Sequence, residues 1–313
     1  MFIDNLIDNI KQKNNPTVAG LDPKIEYVPA FIKEKAFNDH GKNLLGVSRA
    51  ILQFNKMIID AIYDIVPAVK PQLAYYEMYG LDGMQAFDET VKYAKQKGLI
   101  VIADGKRNDI GTTAEAYSAA YLGTAQLEGD LRTSAFDADA LTVNPYLGYD
   151  GIKPFTDDCM KYGKGIFVLV KTSNKSSGQL QDIITQDGMT VYEHVARLVD
   201  QWGSELKGKY GYSSVGAVVG ATYPEQAKVL RKVMKSAYIL VPGYGAQGGS
   251  AADAAKCFNE DGLGAIVNAS RSIMCAYRSD MWKNQYSEDK FAEACRAEAI
   301  RMKEELGKAV YSL

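Results

Sequence analysis

Short apolar runs rich in β-branched residues punctuate the chain. Each ends in polar residues, Gly or Pro, and each is followed by a helix-like stretch. Eight such runs stand at 17–21, 68–73, 99–103, 140–143, 166–170, 215–219, 238–241 and 265–267. Between them apolar residues recur at helical intervals, as in 45–65, 83–97 and 113–122. Strands that alternate with helices predict βαβ units and a parallel sheet. Eight units within 313 residues predict an α/β fold of the (β/α)8 TIM-barrel type, one domain over 1–313. An open doubly wound sheet is the structural alternative.

Two connections are long: 22–45 after the first strand and 175–213 after the fifth. Both exceed the roughly 12–15 residues beyond which structureless loops become uncommon and are usually functional or disordered. Because they follow strands, they lie on the barrel face that carries active sites. The second carries the polar, flexible stretch Ser173-Asn174-Lys175-Ser176-Ser177-Gly178 at its start, and the placement of the two predicts a lid. A plain surface insertion with its own helix over 189–203 is the competing reading. From residue 279 onward the spacing predicts one or two terminal helices outside the barrel.

Composition narrows the picture mainly by exclusion. Hydrophobic residues make up 47% of the chain, enough for a substantial core, and 36 basic against 38 acidic residues leave a formal charge of -2. That balance gives no electrostatic reason to expect nucleic acid or an anionic membrane as partner. Cys159, Cys257, Cys275 and Cys295 show no CxxC spacing and, with only His40 and His194, form no metal-ligand pattern. No apolar run approaches the roughly 18 residues of a spanning helix, and the N-terminus lacks a basic–apolar leader. A reduced, cytoplasmic protein without a metal is therefore expected.

Charge gathers at strand ends. In Ile100-Val101-Ile102-Ala103-Asp104-Gly105-Lys106-Arg107-Asn108-Asp109, Asp104 and Lys106 are two apart and so share a strand face. Asp109 falls past the strand end, near a helix beginning at Thr112 or Thr113, and need not serve the same pocket. Lys70 ends the second run and Asp22 the first. Charged residues closing apolar strands cost desolvation unless they pair or bind something. Taken together they point to a ligand site or to a structural ion-pair network. The late stretch Pro242-Gly243-Tyr244-Gly245-Ala246-Gln247-Gly248-Gly249 has four glycines in seven residues, which permits converging backbone N–H groups, and Arg271 on the next strand offers a planar donor fork. Phosphate sites recur at this place in barrels. The spacing is neither a dinucleotide fingerprint nor a P-loop.

Asp104-x-Lys106-x-x-Asp109 resembles the signature of the orotidine 5'-monophosphate decarboxylase family in its longer bacterial form. The resemblance extends, in the family's order, through Gly20-Leu21-Asp22-Pro23, Lys70-Pro71-Gln72, Asn144-Pro145-Tyr146, Lys171-Thr172-Ser173-Asn174, the glycine-rich stretch and Asn268-Ala269-Ser270-Arg271-Ser272, from about residue 16 to 275. It implies decarboxylation of orotidine 5'-monophosphate to uridine 5'-monophosphate and CO2 in pyrimidine biosynthesis, without a cofactor. It also implies a homodimer with shared sites. Lys106 would donate the proton to C6, Asp104 would sit against the departing carboxylate, and Lys70 would complete the charge array. Asp109 would reach into the neighbouring subunit's site, with Thr113 beside it. Asp22 and Lys70 would hold ribose hydroxyls, Ser173 would contact the base, and Gln247, Gly248 and Arg271 would serve the phosphate. Asn144 and Asn174 fall in matching motifs without an assigned contact.

Three rivals share parts of this pattern. A metal-assisted sugar-phosphate lyase needs acidic ligands, usually a strand-end Glu, and none of the eight runs ends in Glu. A Schiff-base aldolase needs a neutral lysine, which neighbouring carboxylates disfavour. A non-catalytic nucleotide-binding protein would have little use for the charged array.

Overall fold

A computed structural model describes residues 1–245 and 248–310. Its strands β1 (Thr17–Leu21), β2 (Ala68–Pro71), β3 (Ile100–Arg107), β4 (Ala140–Val143), β5 (Gly165–Lys171), β6 (Ser213–Val219), β7 (Ala237–Val241) and β8 (Ala265–Ala269) are all parallel and close into a barrel in chain order. Each predicted run corresponds to one strand. β3 extends four residues beyond its predicted end at 103, carrying the charged motif along the barrel wall.

Alternation along these strands decides what faces inward. The deepest inward layer includes Val18, Ala68, Ile102, Ala140, Phe167 and Ile266. Helix α1 (Phe2–Lys13) presses Phe2, Ile3, Leu6, Ile7 and Ile10 onto that layer and plugs the N-terminal end of the barrel. The fit depends on Gly165, where a Cβ would lie 2.1 Å from the Phe2 ring. Strand–helix alternation gives no place to this plug, so the sequence pattern does not predict it. Two residues further along the same strands stand Gly20, Lys70, Asp104, Thr142, Leu169 and Asn268; two further again come Asp22, Gln72 and Ser270, while β3 becomes irregular beyond Asp104, ahead of Lys106. The interior thus grades from hydrocarbon at the plugged end to charge at the open end.

Outward-facing strand residues such as Val69, Val101, Leu141 and Val168 join the large core under the helices. That layer includes α2 (Ala30–His40), α3 (Leu44–Ile62), α4 (Gly80–Gln96), α5 (Gly111–Tyr121), α6 (Lys153–Tyr162), α7 (Val191–Trp202), α8 (Pro224–Val233), α9 (Ala251–Ala255) and α10 (Phe291–Val310). The connection after β1 holds α2, and the one after β5 holds α7, within a residue or two of the span expected at 189–203. α7 starts at a capping box in which Thr190 and Glu193 satisfy each other's backbone N–H groups. The terminal helix α10 packs against α3 and α9. Among the described residues, no helix is long and apolar enough to cross a membrane.

Candidate active site

At the open end of the barrel, Asp104 sits between two ammonium groups. Lys70 Nζ lies 2.6 Å from its Oδ2 and Lys106 Nζ 2.6 Å from its Oδ1. Thr142 Oγ1 donates to Oδ1 at 2.8 Å, and Gln72 Nε2 donates to Oδ2 at 3.1 Å. Lys70 and Asp104 are buried, whereas the Lys106 side chain is 45% exposed and faces the cavity. Asp104 and Lys106 converge as expected, but not through simple alternation. The β3–β4 register slips between Ala103 and Arg107, and Lys106 adopts φ 47°, a left-handed conformation costly for a residue with a Cβ. Its backbone N–H donates to Thr142 Oγ1 at 2.9 Å, which holds that conformation in place.

The charges stabilise one another. Burial works to raise the Asp104 carboxyl, but the neighbouring Lys70 and then Lys106 outweigh it and hold the group well below the ordinary carboxylate range. Burial works to lower the Lys70 ammonium, and Asp104 with Asp22 overcomes it, so Lys70 is held above its usual value. The array is therefore a buried carboxylate flanked by cations.

A cavity of about 500 Å³ opens over the array, lined also by Asp22, Thr172, Ser173, Asn174, Gln181 and Asn268. The Oδ1 atoms of Asp22 and Asn268 are buried without a hydrogen-bond partner among the described residues. Unpaired buried acceptors are costly, so these two are suited to ligand hydroxyls. The cavity continues into a second one of about 290 Å³, which shares Asp22, Gly243, Asn268 and Ser270 and adds Lys24, Tyr244, Arg271 and Ser272. Arg271 therefore stands at the rim where an anion was expected.

The glycine-rich loop is arranged differently from the expectation. Gly245 N–H donates to Gly249 O, Gly248 N–H to Gly245 O and Gly249 N–H to Gly243 O, at 2.9 to 3.0 Å. These three donors are used inside the loop, and Gly248 is exposed. Gly243, Gly245 and Gly248 have φ of 95°, 69° and 96°, so the turn requires their lack of a Cβ. Gln247 lies outside the described residues.

Asp109 and Thr113 do not join the cavity of their own chain. Asp109 Oδ1 accepts from Ile110 N–H at 2.8 Å just ahead of α5, which starts at Gly111, and Thr113 is exposed on its first turn. Asn144, whose side chain accepts from the Tyr146 N–H, is likewise outside it. Around them Ile110, Tyr117, Tyr146, Leu147 and Tyr149 are exposed large apolar side chains.

Sequence reading passes over Thr142, Gln181 and Asn268 as site residues and gives Gln72 no role. Thr142 and Asn268 share the inward parity of Ala140 and Ile266, a signal open to inspection once those strands are aligned by depth. Gln181, within the connection that follows β5, carries no such signal. Among the described residues, no three His, Cys, Asp or Glu side chains gather as a metal site.

The chain is 45% identical over 305 residues to an orotidine 5'-phosphate decarboxylase of Rhodopirellula baltica, covering 97% of this chain and 98% of that protein. It is 41% identical to the one from Clostridium tetani across the full length of both. A solved orotidine monophosphate decarboxylase structure from Leishmania donovani superposes with a TM-score of 0.73 at 28% identity, covering 99% of each chain. A sequence profile described as the orotidine 5'-phosphate decarboxylase / HUMPS family matches residues 36–279. With most of its length matched and its barrel shared, the chain belongs to the orotidine 5'-phosphate decarboxylase / HUMPS family.

Proposed function

We propose that this protein is a carboxy-lyase that converts orotidine 5'-monophosphate to uridine 5'-monophosphate and CO2 by electrostatics alone. The observation that carries the reading is the Lys70–Asp104–Lys106 array, buried on one side and open to a nucleotide-sized cavity on the other. Loss of CO2 from C6 leaves an electron pair in the ring plane with no adjacent carbonyl to accept it. Lys106 as an ammonium stabilises that carbanion and then delivers its proton to C6. Asp104 faces the substrate carboxylate, and the repulsion ends when CO2 leaves, a smaller contribution than that of Lys106. A barrier reduction on the order of 20 kcal/mol is needed, more than one ion contact supplies. Binding energy from the distant phosphate at Arg271, used to close the site and exclude water, supplies part of the remainder. Asp22 and Lys70 hold the ribose, Ser173 contacts the base, and Gln247 completes the phosphate end beside Arg271.

The acting unit is a homodimer in which Asp109 and Thr113 complete the partner's site. Their exclusion from their own cavity, beside an exposed apolar patch, supports this reading. The whole chain is one domain, with its long connections and terminal helices attached to a single barrel. Four free cysteines, three of them buried, suit a cytoplasmic location.

Absorbance of the purified protein mixed with orotidine monophosphate in chelator tests the function. Steady loss of the orotate band is expected; no change, or activity only with added divalent metal, refutes it. An aldolase that forms a Schiff base would be trapped by borohydride. The elevated Lys70 and the carboxylate beside Lys106 count against that alternative.

A further inference from the structure

One buried charge has no part in the chemistry above. Lys171 ends β5 fully buried, at a point where the β5–β6 register slips, so its side chain leaves the in-and-out alternation of the strand. Its Nζ lies 2.5 Å from Asp182 Oδ1, donates to Ser177 Oγ at 3.2 Å and sits 4.5 Å from the centre of the Tyr223 ring. Asp182 and Ser177 belong to the connection that follows β5. A Cβ at Gly178 would come within 2.8 Å of Asp182 Oδ2, so glycine there leaves room for the carboxylate.

Between Lys171 and Asp182 the chain passes through Thr172, Ser173 and Asn174 and returns at Gln181, all four facing the cavity. Gln181 accepts from Thr172 N–H at 3.0 Å and donates to Thr172 Oγ1 at 2.8 Å, and Tyr223 OH donates to Asn174 O at 3.3 Å. The segment is thus closed at its base by an ion pair and, one residue further in on each side, by an amide clamp. A buried ammonium stripped of its carboxylate draws in water or moves toward solvent, and either outcome opens the base of this hoop.

We propose that Lys171 is a positioning residue, whose clamp on Asp182, Ser177 and Tyr223 closes residues 172–182 into a hoop that holds Ser173 and Asn174 against the pyrimidine base. The proposal rests on the assignment of a pyrimidine nucleotide to this cavity. It separates the roles of the two cavity ends: the hoop acts on the base, whereas Asp22, Lys70 and Arg271 hold ribose and phosphate without it.

The experiment compares the parent with Lys171→Met, Asp182→Asn and Asp182→Glu, reading turnover of orotidine monophosphate and binding of uridine monophosphate and of ribose 5-phosphate by calorimetry or ligand-observed NMR. Asp182→Asn is expected to weaken uridine monophosphate binding about tenfold or more, a change of about 1.4 kcal/mol per decade. Ribose 5-phosphate binding stays within about twofold of the parent, and Asp182→Glu restores most of the loss. Unchanged binding of both ligands, equal loss of both, or no rescue by glutamate overturns the hoop. The Asp182 side chain is 46% exposed, so its variants report even where Lys171→Met does not fold. A parent that fails to decarboxylate refutes the functional reading instead, which the binding arm distinguishes.

Discussion

Replacing Asp104 with asparagine keeps the shape of the site and removes its central charge. The amide of Asp104→Asn would still accept from Thr142 and lie beside Gln72, but Lys70, whose side chain is only 6% exposed, would keep Asp22 as its nearby acid. Breaking a buried ion pair by removing one partner costs about 3–5 kcal/mol. Lys106, at 45% exposure, can turn to water, and the retained hydrogen bonds offset part of the rest, which places the expected loss near the lower end, about 3 kcal/mol. At roughly 2 °C per kcal/mol for a chain of this size, Tm should fall by about 6 °C near neutral pH. The pH dependence follows from the direction of the shifts. Asp104 is held below its ordinary value of 3.8, so its stabilisation is complete above that value and is lost as pH falls through the lower, folded-state one. The Tm gap between parent and variant should therefore be flat around neutrality and narrow below about pH 4. It should narrow again in alkali, where Lys70 in the variant sheds its proton early. Scanning calorimetry or fluorimetry across pH measures this. A Tm within a degree of the parent at pH 7, or a gap that widens in acid, would refute the claim that Asp104 neutralises a buried cation. Decarboxylation should fall at least about a hundredfold in the same protein.

Lys106→Ala should abolish turnover while leaving uridine monophosphate binding measurable; turnover within a few-fold of the parent would remove Lys106 as proton donor. Arg271→Ala should weaken phosphorylated ligands far more than nucleosides, and equal losses would place the phosphate elsewhere. Mixing inactive Lys106→Ala and Asp109→Ala proteins should restore some activity through hybrid dimers, and no recovery after verified subunit exchange would count against a shared site. At Gly20 an added Cβ would fall 2.0 Å from Ser270 Oγ, so Gly20→Ala should displace Ser270 and Asn268, cost about 1–3 kcal/mol and reduce nucleotide binding; a neutral denaturation midpoint would show that the wall gives way freely.

Local chemistry written in the chain was sufficient for the eight strands, because each apolar run is short, bounded by Gly, Pro or polar residues, and buried on both faces by the barrel and its helices. It was sufficient also for the identities at the strand ends, since a charge closing a buried strand stands out against its neighbours: Asp22, Lys70, Asp104 and Lys106 do meet in one cavity. Four matters were decided only by tertiary packing. Depth within the barrel depends on how the strands align, and that alignment is what brings Thr142 and Asn268 into one cavity with Lys70 and Asp104. The left-handed turn at Lys106 comes from a slip against β4, a relation between segments nearly forty residues apart. The α1 plug and the pairing of Lys171 with Asp182 likewise depend on contacts that spacing along the chain does not announce, since a contact formed by packing leaves its mark on the pair and not on either sequence alone.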